Sequence, residues 1–127
     1  MDMLEAPPLQ ALADPLSVFY RMTAAFNAHD VEGMLAHIDD DIQWFSVQGD
    51  RMDVEARGRE AFRGAMEAYF VAIPAARSEI ESAVVSGTFV SVRERAFWGD
   101  DQSQVALGVF EVRHGRILRV WYYPASK

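Results

Sequence analysis

The 127-residue sequence predicts one α+β domain, with helices covering one face of an antiparallel sheet. Three observations lead there. Half of the residues are hydrophobic and 24% are charged, the balance of a chain that buries a core. The first half holds stretches with apolar residues at helical spacing. The second half holds β-branched and aromatic runs separated by short turns. Residues 1–13 read as a flexible acidic tail and 14–127 as a single domain.

Asp14-Pro15 is a helix start, because Asp14 can accept from a first-turn N–H and Pro15 lacks an N–H that would be unpaired anyway. Leu16 to His29 follows, with Phe19, Met22 and Phe26 on one face. Asp30 caps a second, shorter helix from Val31 to Ile38, which Asp39-Asp40-Asp41 ends. Ile42 to Val47 reads as a short strand, and the polar segment Gln48 to Arg57 as a loop. Gly58 opens a third helix, Arg59 to Ile73, with Phe62, Met66, Tyr69 and Phe70 on one side; Pro74 stops it. Arg77 to Val85, Thr88 to Trp98, Gln104 to Arg113 and Arg116 to Tyr123 read as four strands. The short turns between them predict an antiparallel meander.

Several chemistries are excluded by composition. There is no cysteine, so disulfides and thiolate catalysis are out. The single lysine is Lys127, which argues against a Schiff base. The net charge of −7 argues against a nucleic-acid partner, since phosphate binding needs a basic face. No apolar run is long enough to span a membrane, and the acidic N-terminus does not read as a signal peptide, so a cytoplasmic protein is expected. Phosphate-loop, dinucleotide, serine-hydrolase and metalloprotease motifs are all missing.

Phe26-Asn27-Ala28-His29-Asp30, Asp40-Asp41-Ile42-Gln43-Trp44, Gly58-Arg59-Glu60-Ala61-Phe62, and Gly108-Val109-Phe110-Glu111-Val112 with His114-Gly115-Arg116-Ile117 occur in an order that resembles the nuclear transport factor 2-like superfamily. The strings are similar to its SnoaL-like and limonene-1,2-epoxide hydrolase branches, from about Pro15 to Pro124. The resemblance implies a cone: a strongly curved, cystatin-like sheet wrapped around three helices, with a pocket at one end. It also implies ketosteroid isomerase-like, hydrolase, cyclase or dehydratase chemistry without a cofactor, in a family that also holds proteins with no known activity; a homodimer is expected from apolar residues on the convex sheet face.

The family's known catalytic acids do not carry over. Epoxide hydrolases of this kind use an Arg between two acids, with a Tyr and an Asn on the first strand; those last two fall on Trp44 and Ser46. Their Arg-x-Asp falls on Arg93-Glu94-Arg95, or two residues later on Arg95 and Phe97, and their second acid falls on Tyr122. The ketosteroid isomerase base, Tyr and Asp fall on Ser46, Met22 and Gly108. A two-residue shift preserves the face of a strand, so by resemblance Arg93, Arg95 and Phe97 face the pocket in either register. They are joined there by Trp44, Ser46, Ala106, Gly108, Phe110, Val120 and Tyr122, with Phe62 and Met66 from the third helix.

The expected catalytic residues are therefore Arg93 and Arg95, holding negative charge, and Tyr122, donating a proton or hydrogen bond. The structural alternative pairs Arg93 and Arg95 with Glu79 and Glu81 across the strands. Glu94 is expected on the opposite face, solvated or at a dimer interface. Asp50, Asp53 and Glu55 sit near the pocket mouth, where one can swing in as a base or stay exposed. His37 and Asp41 are four apart with no third ligand, so no metal is expected. Ser46 has no adjacent His and is not an activated nucleophile.

The function expected is acid–base catalysis on a small lipophilic molecule, neutral or anionic. The alternative is a non-catalytic ligand-binding or dimeric interaction module. In either case Val90, Val92 and Trp98 are expected on a convex face that pairs two copies.

Overall fold

The computed structural model describes residues 14–124, so the N-terminal tail, Ala125, Ser126 and Lys127 lie outside the described residues. Helix α1 (Pro15–Asn27) starts where Asp14 accepts from the Ser17 N–H at 3.3 Å. Helix α2 (Val31–Leu35) starts where Asp30 accepts from the Gly33 N–H at 2.9 Å. Strands β1 (Ile38–Gln48) and β2 (Arg51–Arg57) follow, then helix α3 (Arg59–Ala72). Strands β3 (Arg77–Ser86), β4 (Phe89–Phe97), β5 (Ser103–Arg113) and β6 (Arg116–Pro124) complete the domain. No helix among the described residues is long and apolar enough to cross a membrane.

The sheet order is β2-β1-β6-β5-β4-β3. The expected meander is present, antiparallel from β3 through β6. The first strand then returns beside the last one in parallel, pairing Trp44 with Val120 and Ser46 with Tyr122. Two element assignments are corrected. Ile38 opens β1 instead of closing α2, so the three aspartates lie within a strand. Gln48 to Arg57 is not a loop: Gln48 ends β1, the chain turns at Gly49, whose φ of +60 suits glycine, and Arg51–Arg57 is the second arm of a hairpin. Of β2 only Ala56 is buried, so the segment lacks the alternating apolar face that marks a half-buried strand.

The three helices fill the inner face of the sheet. Val18, Phe19 and Met22 of α1, Met34 and Leu35 of α2 and Phe62 of α3 pack with Ile38, Ile42, Val90, Val92, Phe110, Val112, Ile117 and Val120 into one core. This corrects the expected exposure of Val90 and Val92: both are buried, opposite Phe110 and Gly108 of β5. Of the three residues expected on the outer face, only Trp98 is exposed. Alternation along β4 then carries Glu94 and Ala96 inward and Arg93 and Arg95 outward.

Candidate active site

The core is not filled throughout. A cavity of about 360 Å³ remains between the helices and the sheet. Its walls are aromatic: Trp44 lies 5.8 Å from Phe62 and 6.2 Å from Phe110, ring centroid to centroid. Phe19 meets Phe110 edge-on at 4.7 Å. The space exists because small residues stand where large ones would close it. Ala56, Ala65 and Ala96 line it. On β5, Ala106 lies opposite Glu94, and Gly108 lies opposite both Val92 and Tyr122.

Those two small β5 residues leave room for groups from the flanking strands to meet. Glu94 comes from β4 and Tyr122 from β6, and the tyrosine hydroxyl is within hydrogen-bonding influence of the carboxylate. From the other side the Ser78 hydroxyl of β3 donates to Glu94 Oε2. Tyr69 of α3 borders the same cavity and feels the charge of Glu94.

Burial pushes the Glu94 carboxyl above the usual carboxylate range, while the hydrogen bonds from Ser78 and Tyr122 pull the other way. Burial and the neighbouring Glu94 charge push the Tyr122 phenol up, with Tyr69 adding to this. Tyr69 is pushed up by burial and then by Glu94. Glu94 is thus a carboxylate with raised proton affinity, held by two hydroxyls at the wall of an apolar chamber. Such a group can take a proton from a bound molecule or give one back.

Placement of the other candidate residues differs from expectation at several points. Trp44, Ser46, Phe62, Met66, Phe110 and Tyr122 line the cavity. Val120 is fully buried beneath it, and Gly108 lies on the inner face, where an added Cβ would stand 2.9 Å from Phe110 Cε1. Arg93 and Arg95 are a correction: both sit on the outer face and share one carboxylate, with Nε atoms 2.8 and 3.1 Å from Glu81. Phe97 is on their side of the strand, with the Arg77 guanidinium 3.8 Å above its ring. Arg77 itself pairs with Glu79 at 2.7 Å.

Glu55 lies at the cavity mouth on an exposed part of β2, while Asp53 pairs with Arg51 at 3.0 Å. His37 and Asp41 are separated by the start of β1, and the described residues contain no grouping of three or more metal-ligating side chains. The resemblance placed the wrong parity on β4. The strand's own pattern, Val90, Val92, Glu94, Ala96, carried the right one, with three apolar residues in alternate positions ahead of and behind the glutamate. Ser78 had no such signal: its burial follows from Ala96 opposite it and from the helix above.

The SnoaL-like domain family matches residues 19–120. The chain belongs to that family. Among curated proteins no relative matches it. Solved structures similar to this SnoaL-like chain include an uncharacterised cystatin-fold protein from Novosphingobium aromaticivorans, with 28% identity, a TM-score of 0.76, and coverage of 85% of this chain and 96% of that one. Wild-type IdmH, a proposed polyketide cyclase from Streptomyces antibioticus, is 22% identical with a TM-score of 0.70, covering 86% and 90%. A proposed ketosteroid isomerase from Kribbella flavida is 17% identical with a TM-score of 0.75, covering 89% and 78%. The last two likenesses concern the fold, a nuclear transport factor 2-like α+β cone.

Proposed function

We propose that this SnoaL-like protein is a cofactor-independent acid–base enzyme acting on a small, neutral, lipophilic molecule, with Glu94 as the group that moves the proton. The observation that carries this reading is the Glu94 carboxylate at the wall of an aromatic cavity, with hydroxyls as its hydrogen-bond partners. The largely apolar walls lower the local dielectric, which strengthens a carboxylate as a base. Tyr122 accompanies it as a hydrogen-bond donor, and Trp44, Phe62 and Phe110 shape the wall against which the ligand lies. Isomerisation, cyclisation, dehydration and hydrolysis all begin with such a transfer. An anionic substrate has lost its motive, because Arg93 and Arg95 are on the other face, bound to Glu81.

A thermal-shift panel tests the reading. Neutral lactones, enones and epoxides of bicyclic size are expected to raise the melting temperature more than the matching carboxylates do, since a ligand that binds only the folded state stabilises it. Arg95→Met should leave a hit's binding unchanged. Preference for the carboxylates, lost in Arg95→Met, would sink the proposal and restore the arginines.

A second copy of the chain is the partner we propose, and this assembly is compatible with either catalysis or simple ligand binding. The outer sheet face supports it: Leu107 is 53% exposed, Tyr123 40% and Phe89 37%, around Trp121, which stacks on Phe45. Light scattering at micromolar concentration is expected to give twice the chain mass. A monomer there, or a dimer that survives Leu107→Glu, would contradict this face as the contact.

A further inference from the structure

The end of α1 and the residues just after it touch the start of β3 and the residue before it, at two points that the proposed chemistry does not use directly. The Asn27 side chain takes both backbone polar groups of Ser78: its Nδ2 donates to the Ser78 carbonyl at 3.0 Å, and its Oδ1 accepts from the Ser78 N–H at 2.7 Å. Two residues earlier, just before β3 begins, His29 Nε2 lies 2.6 Å from the Ala76 carbonyl oxygen. The His29 ring is stacked on Phe70 of α3, centroids 4.1 Å apart. Strand β3 is an edge of the sheet, so one side of its backbone has no strand partner. Asn27 supplies there the donor and acceptor that a further strand would have supplied.

Ser78 is the residue whose hydroxyl donates to Glu94, and it is 8% exposed. A serine hydroxyl reaches a carboxylate in the right direction only if its backbone is held, and the edge of a sheet is the least held part. We propose that Asn27 is a positioning residue for the site: by gripping both backbone groups of Ser78, it aims the Ser78 hydroxyl at Glu94. Asn27 acts through Ser78 and does not touch the cavity. The inference rests on the reading of Glu94 as the proton-moving group. Around that carboxylate the other titratable groups are Tyr122 of β6 and Tyr69 of α3, with Arg77 of β3 and Glu55 of β2 at the cavity rim. None of these is moved by a change at Asn27 that acts through Ser78 alone.

The test is a carbon-13 titration of the Glu94 carboxyl in the intact chain. Ser78→Ala removes a hydrogen bond to the charged form and should raise the proton affinity of Glu94, by about three-fold or more. Asn27→Ala should raise it in the same direction, and the double variant should go no further than Ser78→Ala alone. Should Asn27→Ala fail to fold, Asn27→Ser reads the same shift with a polar group kept at the helix end. A folded Asn27 variant with the Glu94 titration of the wild type overturns the proposal, as does a double variant whose shift is the sum of the two. A purely structural role would lower the melting temperature without moving that midpoint. Because the titration needs no substrate, it separates failure of this coupling from failure of the enzymatic reading, which a rate measurement on Glu94→Gln decides.

Discussion

Glu94 and Glu111 show two ways of burying a carboxylate in one small domain. Glu111 is 1% exposed and meets two guanidinium groups, Arg113 Nε and Arg119, each at 2.7 Å. Those charge-assisted bonds satisfy both of its oxygens and tie three side chains together on the outer face. Glu94 has hydroxyl partners, which lower its proton affinity far less than a cation would, and burial wins. Its folded-state proton affinity is therefore above its unfolded one. Stability linked to this group is full below the ordinary glutamate range and is lost as pH rises through the raised folded value. Glu94→Gln mimics the protonated form and escapes that loss. The melting temperature of Glu94→Gln relative to wild type should accordingly climb as pH rises above the ordinary glutamate range, and level off once the folded carboxyl has ionised. A constant difference across that window would mean that the carboxyl titrates as it does in the unfolded chain.

At the scale of elements, β5 decides whether there is a site at all. Its inner face carries Ala106 and Gly108 beside the cavity and Phe110 at its wall. Larger residues at the first two positions would stand between Glu94 and Tyr122. Gly108→Ala places a methyl 2.9 Å from Phe110 Cε1 and 3.4 Å from Val92 Cγ2. The Phe110 ring must yield, and its edge-on contact with Phe19 limits how far it can move. The expected cost is about 1–2 kcal/mol in urea unfolding, with weaker binding of any cavity ligand. Unchanged stability together with unchanged binding would show that the Phe110 wall is soft. The elements themselves were legible to different degrees. The helix starts at Asp14-Pro15 and Asp30 and the stop at Pro74 are local chemistry, and they stand where the sequence places them. Strand β2 was not legible, because an edge strand with one buried residue has no period to detect. The extension of β1 back to Ile38 was masked by three aspartates, which read as a helix end and are tolerated here because Asp40 and Asp41 are exposed.

For the whole molecule, the curved sheet around helices was readable from the order of the periodic segments and from the family resemblance, since both depend on many residues at once. Which face of β4 looks inward was not readable from the resemblance, because that depends on one residue of register, and a single-residue slip exchanges every side chain between cavity and solvent. The outcome is an exchange of roles: the arginines hold Glu81 outside, and the glutamate between them sits inside. The central claim is that this glutamate is a base at the wall of a largely apolar chamber. Its most direct test uses 5-nitrobenzisoxazole, a neutral bicyclic molecule small enough for the cavity. Removal of its C3 proton by a carboxylate breaks the N–O bond and gives a coloured cyanophenolate, with the proton left on the carboxyl. The wild-type protein should open the ring at least about 100-fold faster than acetate at equal concentration. The rate should rise with pH as Glu94 loses its proton, persist in Arg95→Met and vanish in Glu94→Gln. A wild-type rate no higher than that of acetate, or a Glu94→Gln rate equal to wild type, would contradict the account.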